Sequence, residues 1–245
     1  MRHVGSALGI LALVVTSGLA CAHQGFLDSE FVGHDGYRIS YTEAATTSIV
    51  PSEWRLENYF FNKQGKPNDE KDDRSYENTM DWEDDTGRTF QVTYQFLDLK
   101  WRHKNASLLY VCTIPLPPRQ RNLNLDAFVE QWANDYNGLQ FSFKRAEARR
   151  IASKIVESKA RQIDGHAAHE VTFDVVDMDQ LQLDPKAPRT RIRAVFIKDL
   201  LRNLGPRLSH VPAYLLVAYE SSDSHFETLV PDYEGLLSRL RFDKR

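Results

Sequence analysis

Residues 153–177 read SKIVESKARQI-DG-HAAHEVTFDVVD, and no other segment of the chain indicates its architecture so directly. The central Asp-Gly pair is typical of a two-residue β-hairpin turn, because both residues tolerate positive φ. After the turn, polar residues alternate with a set that includes His169, Val171 and Phe173, as in a half-buried strand. The segment therefore predicts two antiparallel strands, at 153–163 and 166–177.

Shorter alternating segments on both sides of this hairpin predict further strands. A polar turn at 100–105 separates two of them, so residues 90–96 and 108–114 are expected to form a second antiparallel hairpin. Residues 213–220 are the most hydrophobic of these strands, which predicts a central position in the sheet. The remaining predicted strands lie at residues 37–41, 54–61 and 192–196.

Two segments have the apolar spacing of amphipathic helices. The first is expected to begin after an N-cap at Asn124 and to end at Gly138. The second runs from Phe226 to Leu240 and contains Pro231. Both apolar stripes need a surface to cover them, and the sheet is the large apolar surface available. The sequence therefore predicts an α+β fold, with a twisted antiparallel sheet of about seven strands flanked by two main helices.

Composition divides the chain into three parts. Residues 1–20 resemble a signal peptide, 21–36 a polar tether, and 37–245 a single α+β globular domain. A polar, acid-rich run at 62–85 is expected to be a surface insert in that domain. With 42% hydrophobic and 27% charged residues, the chain has the composition of a folded protein rather than a disordered one.

The amino terminus is organised as an export signal. Arg2 precedes an apolar run centred on residues 8–15, which is too short to span a bilayer. Cys21 follows small residues, as in the lipobox of bacterial lipoproteins, although Gly18 stands where such boxes usually have leucine. Three interpretations stay open: lipid attachment at Cys21, ordinary cleavage of a secretory signal, and an anchor that is never cut.

The second cysteine of the chain, Cys112, lies in an apolar run. If Cys21 is lipidated, Cys112 is expected to be a small buried hydrophobe rather than a nucleophile. If Cys21 is not lipidated, a Cys21–Cys112 disulfide is an open alternative in an oxidising compartment.

The order of these elements and several loose motifs resemble the PsbP-like superfamily, which includes the DcrB and LpqN types of bacterial envelope lipoprotein. The resemblance implies an antiparallel sheet flanked by helices, and a role in binding or assembly rather than catalysis. It implies no site residue, because so diffuse a family does not carry function across. The motifs are GYRISY at 36–41, PSEW at 51–54, the helix at 125–136, DGHAA at 164–168 and the strand–helix ending at 214–243.

One histidine motif, His166-x-x-His169-Glu170, resembles a zinc site without meeting its spacing. Metalloprotease motifs place the glutamate between two histidines on a helix, whereas this segment is a predicted strand. Residues three apart on a strand point to opposite faces. Because His169 shares its face with Val171 and Phe173, a packed, hydrogen-bonded histidine is expected there.

An acidic motif, Asp81-x-Glu83-x-Asp85-Thr86-Gly87, resembles the start of a calcium loop. Its glycine comes one position too late for an EF-hand, so a solvated acidic loop is expected instead. The chain contains no G-x-S-x-G elbow, phosphate loop or dinucleotide fingerprint. Four residues of triad type lie in predicted loops with no selecting pattern: Ser209, His210, Asp223 and His225.

These observations predict a bacterial envelope lipoprotein whose non-catalytic domain binds an envelope partner protein. Cys21 is the expected lipid-attachment site, and no catalytic, cofactor or metal residue is assigned. The net charge of −3 offers no basic excess for nucleic acid. Ala22 after the cysteine favours the outer membrane, and a soluble periplasmic or secreted protein is the alternative. A module that binds a small ligand or cation is the alternative function, and a hydrolase with a non-local site is the least favoured.

Overall fold

The fold is described by a computed structural model for residues 28–32, 37–42, 53–59, 77–84, 86–95, 97–118, 121, 123–134, 151–187, 189–202, 208 and 210–242. The signal-like segment and Cys21 lie outside these residues, as do most of the tether and residues 62–76 of the acid-rich run. The predictions made for them stay predictions.

The described residues form twelve strands and three helices. The strands are β1 (Asp28–Val32), β2 (Tyr37–Thr42), β3 (Trp54–Tyr59), β4 (Glu77–Glu83), β5 (Thr89–Gln95), β6 (Leu97–His103), β7 (Leu108–Pro115), β8 (Ile151–Ile163), β9 (His166–Asp177), β10 (Thr190–Arg202), β11 (Val211–Ser222) and β12 (Leu240–Phe242). The helices are α1 (Leu125–Asn134), α2 (Met178–Leu183) and α3 (Asp223–Arg239).

Seven of the strands form one antiparallel sheet in the order β3-β6-β7-β11-β10-β9-β8. The predicted central position of the 213–220 strand is confirmed, since β11 has β7 and β10 as neighbours. Two small sheets accompany it: β1-β2-β12, and the hairpin β4-β5. With helices packed on the sheet, the predicted α+β fold is confirmed.

The hairpin that the Asp-Gly pair predicts is formed by β8 and β9. Asp164 and Gly165 have φ values of 48° and 83°, and the flanking residues Ile163 and His166 are paired. The register contains one irregularity: Ile155 pairs with Phe173, but Glu157 pairs with the next residue of β9. Val156 is therefore an extra residue, the mark of a β-bulge.

The two long helices cover opposite faces of the sheet. Helix α1 buries Phe128, Val129, Trp132 and Ala133 against β9, β10 and β11. Helix α3 buries its own apolar stripe against the other face, together with residues of β2 and β12. That stripe consists of Phe226, Leu229, Tyr233, Leu236 and Leu237.

The predicted hairpin between residues 90–96 and 108–114 is wrong. Strand β5 pairs with β4, and the partner of β7 is the intervening strand β6. The reversal occurs later than expected, after His103, where Ala106 adopts a φ of 70°. Polar residues obscured β6, because Asp98 and Lys100 are buried in it.

The acid-rich run is a regular strand over part of its described length, while its place as a surface insert stays a prediction. Residues 77–83 form the regular strand β4, whose Trp82 is buried with Val92 and Val211. Alternating acids and a tryptophan suit a strand with one buried side, and not only a solvated loop.

Candidate functional site

A serine, a histidine and an aspartate lie in a row where the amino terminus of α1 meets the sheet. The Oγ of Ser158 on β8 is 2.7 Å from Nε2 of His169 on β9. The Nδ1 of the same ring is 2.7 Å from Oδ1 of Asp126 on α1. That second contact is an ion-pair distance without an aligned hydrogen bond. We call these three residues the Ser–His–Asp row.

The local folding explains why the three meet. Asn124 caps α1 through Oδ1, which accepts a hydrogen bond of 2.7 Å from the N–H of Ala127, and this places Asp126 in the first turn. The predicted N-cap is therefore confirmed. At the other end of α1, the Ser153 hydroxyl donates to the Asn134 carbonyl at 3.2 Å. Helix α1 thus contacts β9 near its amino terminus, through Asp126 and His169, and β8 at its carboxyl end, through Ser153.

The members of the row differ strongly in exposure. The side chain of His169 is only 7% exposed, whereas that of Asp126 is 66% exposed. Ser158 is also exposed, at the outer strand of the sheet. The Ser158 hydroxyl is therefore accessible to solvent, whereas the imidazole that it contacts is shielded. The Asp126 carboxylate lies on the opposite side of that imidazole.

The next residue of β9 enters a different environment on the α3 face. Glu170 is 1% exposed and forms ion pairs with Arg161, with Lys159 at 3.4 Å and with Arg193 at 4.0 Å. Glu234 of α3 holds Arg161 with a second carboxylate, at 2.9 Å. These hydrogen bonds, first Glu234 and then Glu170, raise the pKa of Arg161. Glu157 pairs with Lys159 at 3.0 Å, so three carboxylates balance three cations, and we interpret the group as a structural network.

Tyr233 of α3 contacts this network from the core side. Burial, and then the nearby charge of Glu170, raise the pKa of Tyr233 well above its ordinary value. Its hydroxyl lies 3.5 Å from Oε2 of Glu170. The phenol therefore stays protonated and serves as a donor at the edge of the network.

The histidine motif separates as the strand geometry predicts. His166 lies at the start of β9 with its ring 4.3 Å from that of Phe242, whereas His169 lies under α1. The packed, hydrogen-bonded state expected for His169 is confirmed. Among the described residues, no group of three or more His, Cys, Asp or Glu side chains is arranged to hold a metal ion.

The acidic motif begins in β4 with Asp81 and Glu83, and its described residues from Asp84 onward lie in the turn before β5. Oδ1 of Asp84 accepts hydrogen bonds from the hydroxyl and N–H of Thr86, at 2.6 and 2.9 Å, and from the N–H of Arg88, at 3.0 Å. The Thr86 hydroxyl and then the Arg88 N–H lower the pKa of Asp84. These bonds commit the carboxylate to the turn. Beside it is an open cleft of about 340 Å³, lined by Asp81, Glu83, Asp84, Thr89, Pro117 and Pro118.

The other candidate residues do not come together where they are described. Asp223 forms an ion pair with Arg191 at 3.3 Å, whereas His210, in the turn before β11, and His225, in α3, are both exposed. Ser209 lies outside the described residues. Cys112 is buried in the core under α1, which confirms the expected burial.

Sequence reasoning missed Ser158 and Asp126. Neither stands in a motif, and each meets His169 only through the pairing of β8 with β9 and the docking of α1. The available signals were the N-cap at Asn124, which fixes the first turn of α1, and the Asp-Gly turn, which fixes the register of β8.

Two solved structures are similar to this chain in fold. One is the solution structure of cyanobacterial PsbP (CyanoP) from Synechocystis sp. PCC 6803, with 12% identity, a TM-score of 0.44 and 98% of both chains covered. The other is LpqN, described as involved in cell envelope biogenesis of Mycobacterium tuberculosis, with 8% identity and a TM-score of 0.37 over 91% of this chain and 94% of that one. No protein-family model matches the chain, and no curated protein matches it significantly.

The two structures are of the kinds that the sequence resemblance names, a PsbP and an LpqN. At such identities the likeness assigns no site and no activity. Within the described part of the chain, no helix is long and apolar enough to cross a membrane.

Proposed function

We propose that this protein is a bacterial envelope lipoprotein, anchored through a lipid on Cys21, whose α+β domain binds an envelope partner protein. The observation that carries the proposal is the amino-terminal sequence, in which Arg2, a short apolar run and small residues precede Cys21. Firm anchoring requires more than one acyl chain, because a single chain binds a bilayer only marginally. With Ala22 after the cysteine, the outer membrane is the proposed destination.

Metabolic labelling of the native protein with an alkynyl fatty acid tests the anchor. We expect label on the wild-type chain, none on Cys21→Ser, and full label on the matched control Cys112→Ala. Intact mass gives an independent measurement of the mature terminus. An unmodified terminus at Cys21 or at His23 would show ordinary cleavage and contradict the anchor.

The surface that best suits a protein partner is the free edge of β8. This strand has 13 residues and, among the described residues, a neighbour on one side only. An edge strand presents backbone N–H and C=O groups to which an extended segment of another protein can add. Val156 is 54% exposed in the middle of that edge. Exposed Lys154, Glu157 and Lys159 flank it, so a partner strand has to match their charges.

Site-specific crosslinking in the native envelope tests this surface. A photoreactive side chain at Val156 is compared with the same group at Leu183, an equally apolar residue that is 88% exposed in α2. We expect one envelope protein, identified by mass spectrometry, to be captured from position 156 only. Capture of the same proteins from both positions, or none from 156, would contradict the β8 surface.

A further inference from the structure

The Ser–His–Asp row has the arrangement of an activated nucleophile. We propose that Ser158 is a reactive serine that His169 activates, and that the site accepts the acyl group of activated carboxylic esters. This inference goes beyond the proposed function, and it departs from the expectation of a non-catalytic domain. It rests on three observations: the contacts of His169, the exposure of Ser158, and the position of Ser158 on an edge strand.

The contacts assign a role to each nitrogen of the ring. A nucleophilic hydroxyl needs a base within hydrogen-bond reach, and that base needs a third group to orient it. Nε2 of His169 is 2.7 Å from the Ser158 Oγ, and Nδ1 faces Asp126 at 2.7 Å. The nearby carboxylate favours the tautomer with its proton on Nδ1, although that N–H is not aligned with the acid, and this tautomer leaves Nε2 as the acceptor for the serine proton.

Exposure distinguishes the row from an ordinary buried hydrogen bond. The imidazole is 7% exposed, so bulk water competes little for Nε2. The serine side chain is exposed, so a reagent can reach its oxygen without displacing α1. Asp126 and His169 are sufficient for a contact that only fixes α1 to the sheet. The accessible Ser158 hydroxyl on the other side of the ring has no part in that structural role.

The strand geometry adds one donor for a developing negative charge. In an antiparallel ladder, hydrogen-bonded and non-hydrogen-bonded pairs alternate, and the pair that closes a two-residue turn is hydrogen-bonded. Counting from Ile163–His166, the Ser158–Val171 pair is of the non-hydrogen-bonded kind. The Ser158 N–H therefore points away from β9, toward the open edge, where it can donate to an oxyanion.

The proposed step balances in atoms and protons. The Ser158 Oγ attacks the ester carbonyl, the Oγ–C bond forms, and the hydroxyl proton passes to Nε2 of His169. The ester C–O bond then breaks, and the leaving alcohol departs with that proton, or departs as an aryloxide while the imidazolium of His169 gives the proton to solvent; an acyl-serine and a neutral His169 remain. Water, deprotonated by the same nitrogen, releases the carboxylic acid and restores the hydroxyl.

Covalent labelling of the purified full chain tests the inference. A fluorophosphonate probe, which bonds phosphorus to an activated serine oxygen and releases fluoride, is added, and the adduct is mapped by mass spectrometry. We expect one adduct, at Ser158, which is absent in Ser158→Ala. The matched control is Ser224→Ala, an exposed serine of α3 that hydrogen-bonds to Ser222 at 3.2 Å, and it should label at the wild-type rate.

Variants of the other two residues separate activation from simple exposure. His169→Gln should slow labelling by about 100-fold or more, the usual contribution of a general base. Asp126→Asn, at an exposed position, should slow it less and leave the thermal unfolding midpoint close to that of the wild type. With p-nitrophenyl acetate, the wild type should gain one acetyl group on Ser158.

The opposite results are equally clear. No adduct on folded wild-type protein, or equal labelling of wild type and Asp126→Asn, would overturn the inference and leave the row as a structural contact. Lipid labelling at Cys21 is unaffected by either result. Failure here is therefore distinguishable from failure of the proposed function.

Discussion

The two faces of the central sheet are each covered by a helix through an apolar stripe, but the polar contacts beside the two helices differ. Under α1, aromatic rings meet edge to face, with Trp132 4.9 Å from Phe196 and Phe128 4.8 Å from Tyr214. Under α3, ion pairs add to the apolar contacts, since Arg161 bridges Glu170 of the sheet to Glu234 of the helix. Neighbouring residues of β9 supply the polar contact of each face, His169 to one and Glu170 to the other.

The difference shows where polar chemistry is available. On the α3 face the charges of the network pair with one another, so these groups have little capacity to act on a ligand. On the α1 face the core is apolar, and the polar row lies at its margin with an exposed hydroxyl. The four predictions below test this contrast through the free energy of unfolding, measured by urea denaturation.

The largest effect is expected from removing the aromatic anchor of α1. Trp132→Ala deletes the ring that meets Phe173 and Phe196 and leaves a cavity, so it should cost about 3–5 kcal/mol. Gln131→Ala, exposed on the same helix, should change stability by less than about 0.5 kcal/mol. Equal effects of the two variants would mean that α1 is not held by its rings.

The next effect is expected from breaking the charge network of α3. Arg161→Met leaves the buried Glu170 with the more distant Lys159 and Arg193, and should cost about 3 kcal/mol. The double variant with Glu170→Met should recover part of that loss, because no unpaired buried charge remains. As a control, Lys159→Met should cost less than about 1 kcal/mol. A double variant no better than Arg161→Met would contradict the explanation.

A smaller, pH-dependent effect is expected at Tyr219. Its hydroxyl donates to the Phe226 carbonyl at 3.0 Å, so Tyr219→Phe should cost about 1–2 kcal/mol near neutral pH. Burial raises the pKa of Tyr219 to about 12, above the ordinary value of 10.0. Between those values the unfolded chain releases the phenolic proton and the folded chain keeps it, so the wild type loses stability. The gap between wild type and variant should narrow over that range, and a constant gap would contradict it.

The smallest effect is expected at the start of α1. Asn124→Ala removes the side-chain cap on the Ala127 N–H and should cost about 1 kcal/mol. Asn124→Asp keeps an acceptor and places a negative charge at the helix amino terminus, so it should preserve stability. If Asn124→Ala also slows fluorophosphonate labelling of Ser158, the cap positions the Ser–His–Asp row as well as the helix.

Local patterns in the sequence predicted the fold better than they predicted the candidate site. The Asp-Gly turn predicted the β8–β9 hairpin, because its positive φ values admit few other structures. The same reasoning failed for β6, where the buried Asp98 is satisfied by hydroxyls of Tyr37 and Thr113. Those donors lie on β2 and β7, and no pattern within β6 reveals them.

Of the three residues in the candidate site, the sequence predicted the state of one, His169. Alternation along β9 predicted the packed state of His169, since it shares a face with Val171 and Phe173. Its partners lie on two other elements. Their approach depends on how α1 docks and on one extra residue in β8, and both are tertiary features that periodicity does not encode.

That extra residue, Val156, changes which alternate residues of β8 face α1. Upstream of it, odd-numbered positions such as Ser153 and Ile155 turn toward α1, whereas downstream the even-numbered Ser158 does so. A one-residue deletion at 156 would restore strict alternation, and the hydroxyl would then exchange faces or the whole strand would slide by one pair. The contact between Ser158 and His169 thus depends on the number of residues in β8, and the insertion or deletion of a single codon is enough to form or abolish it.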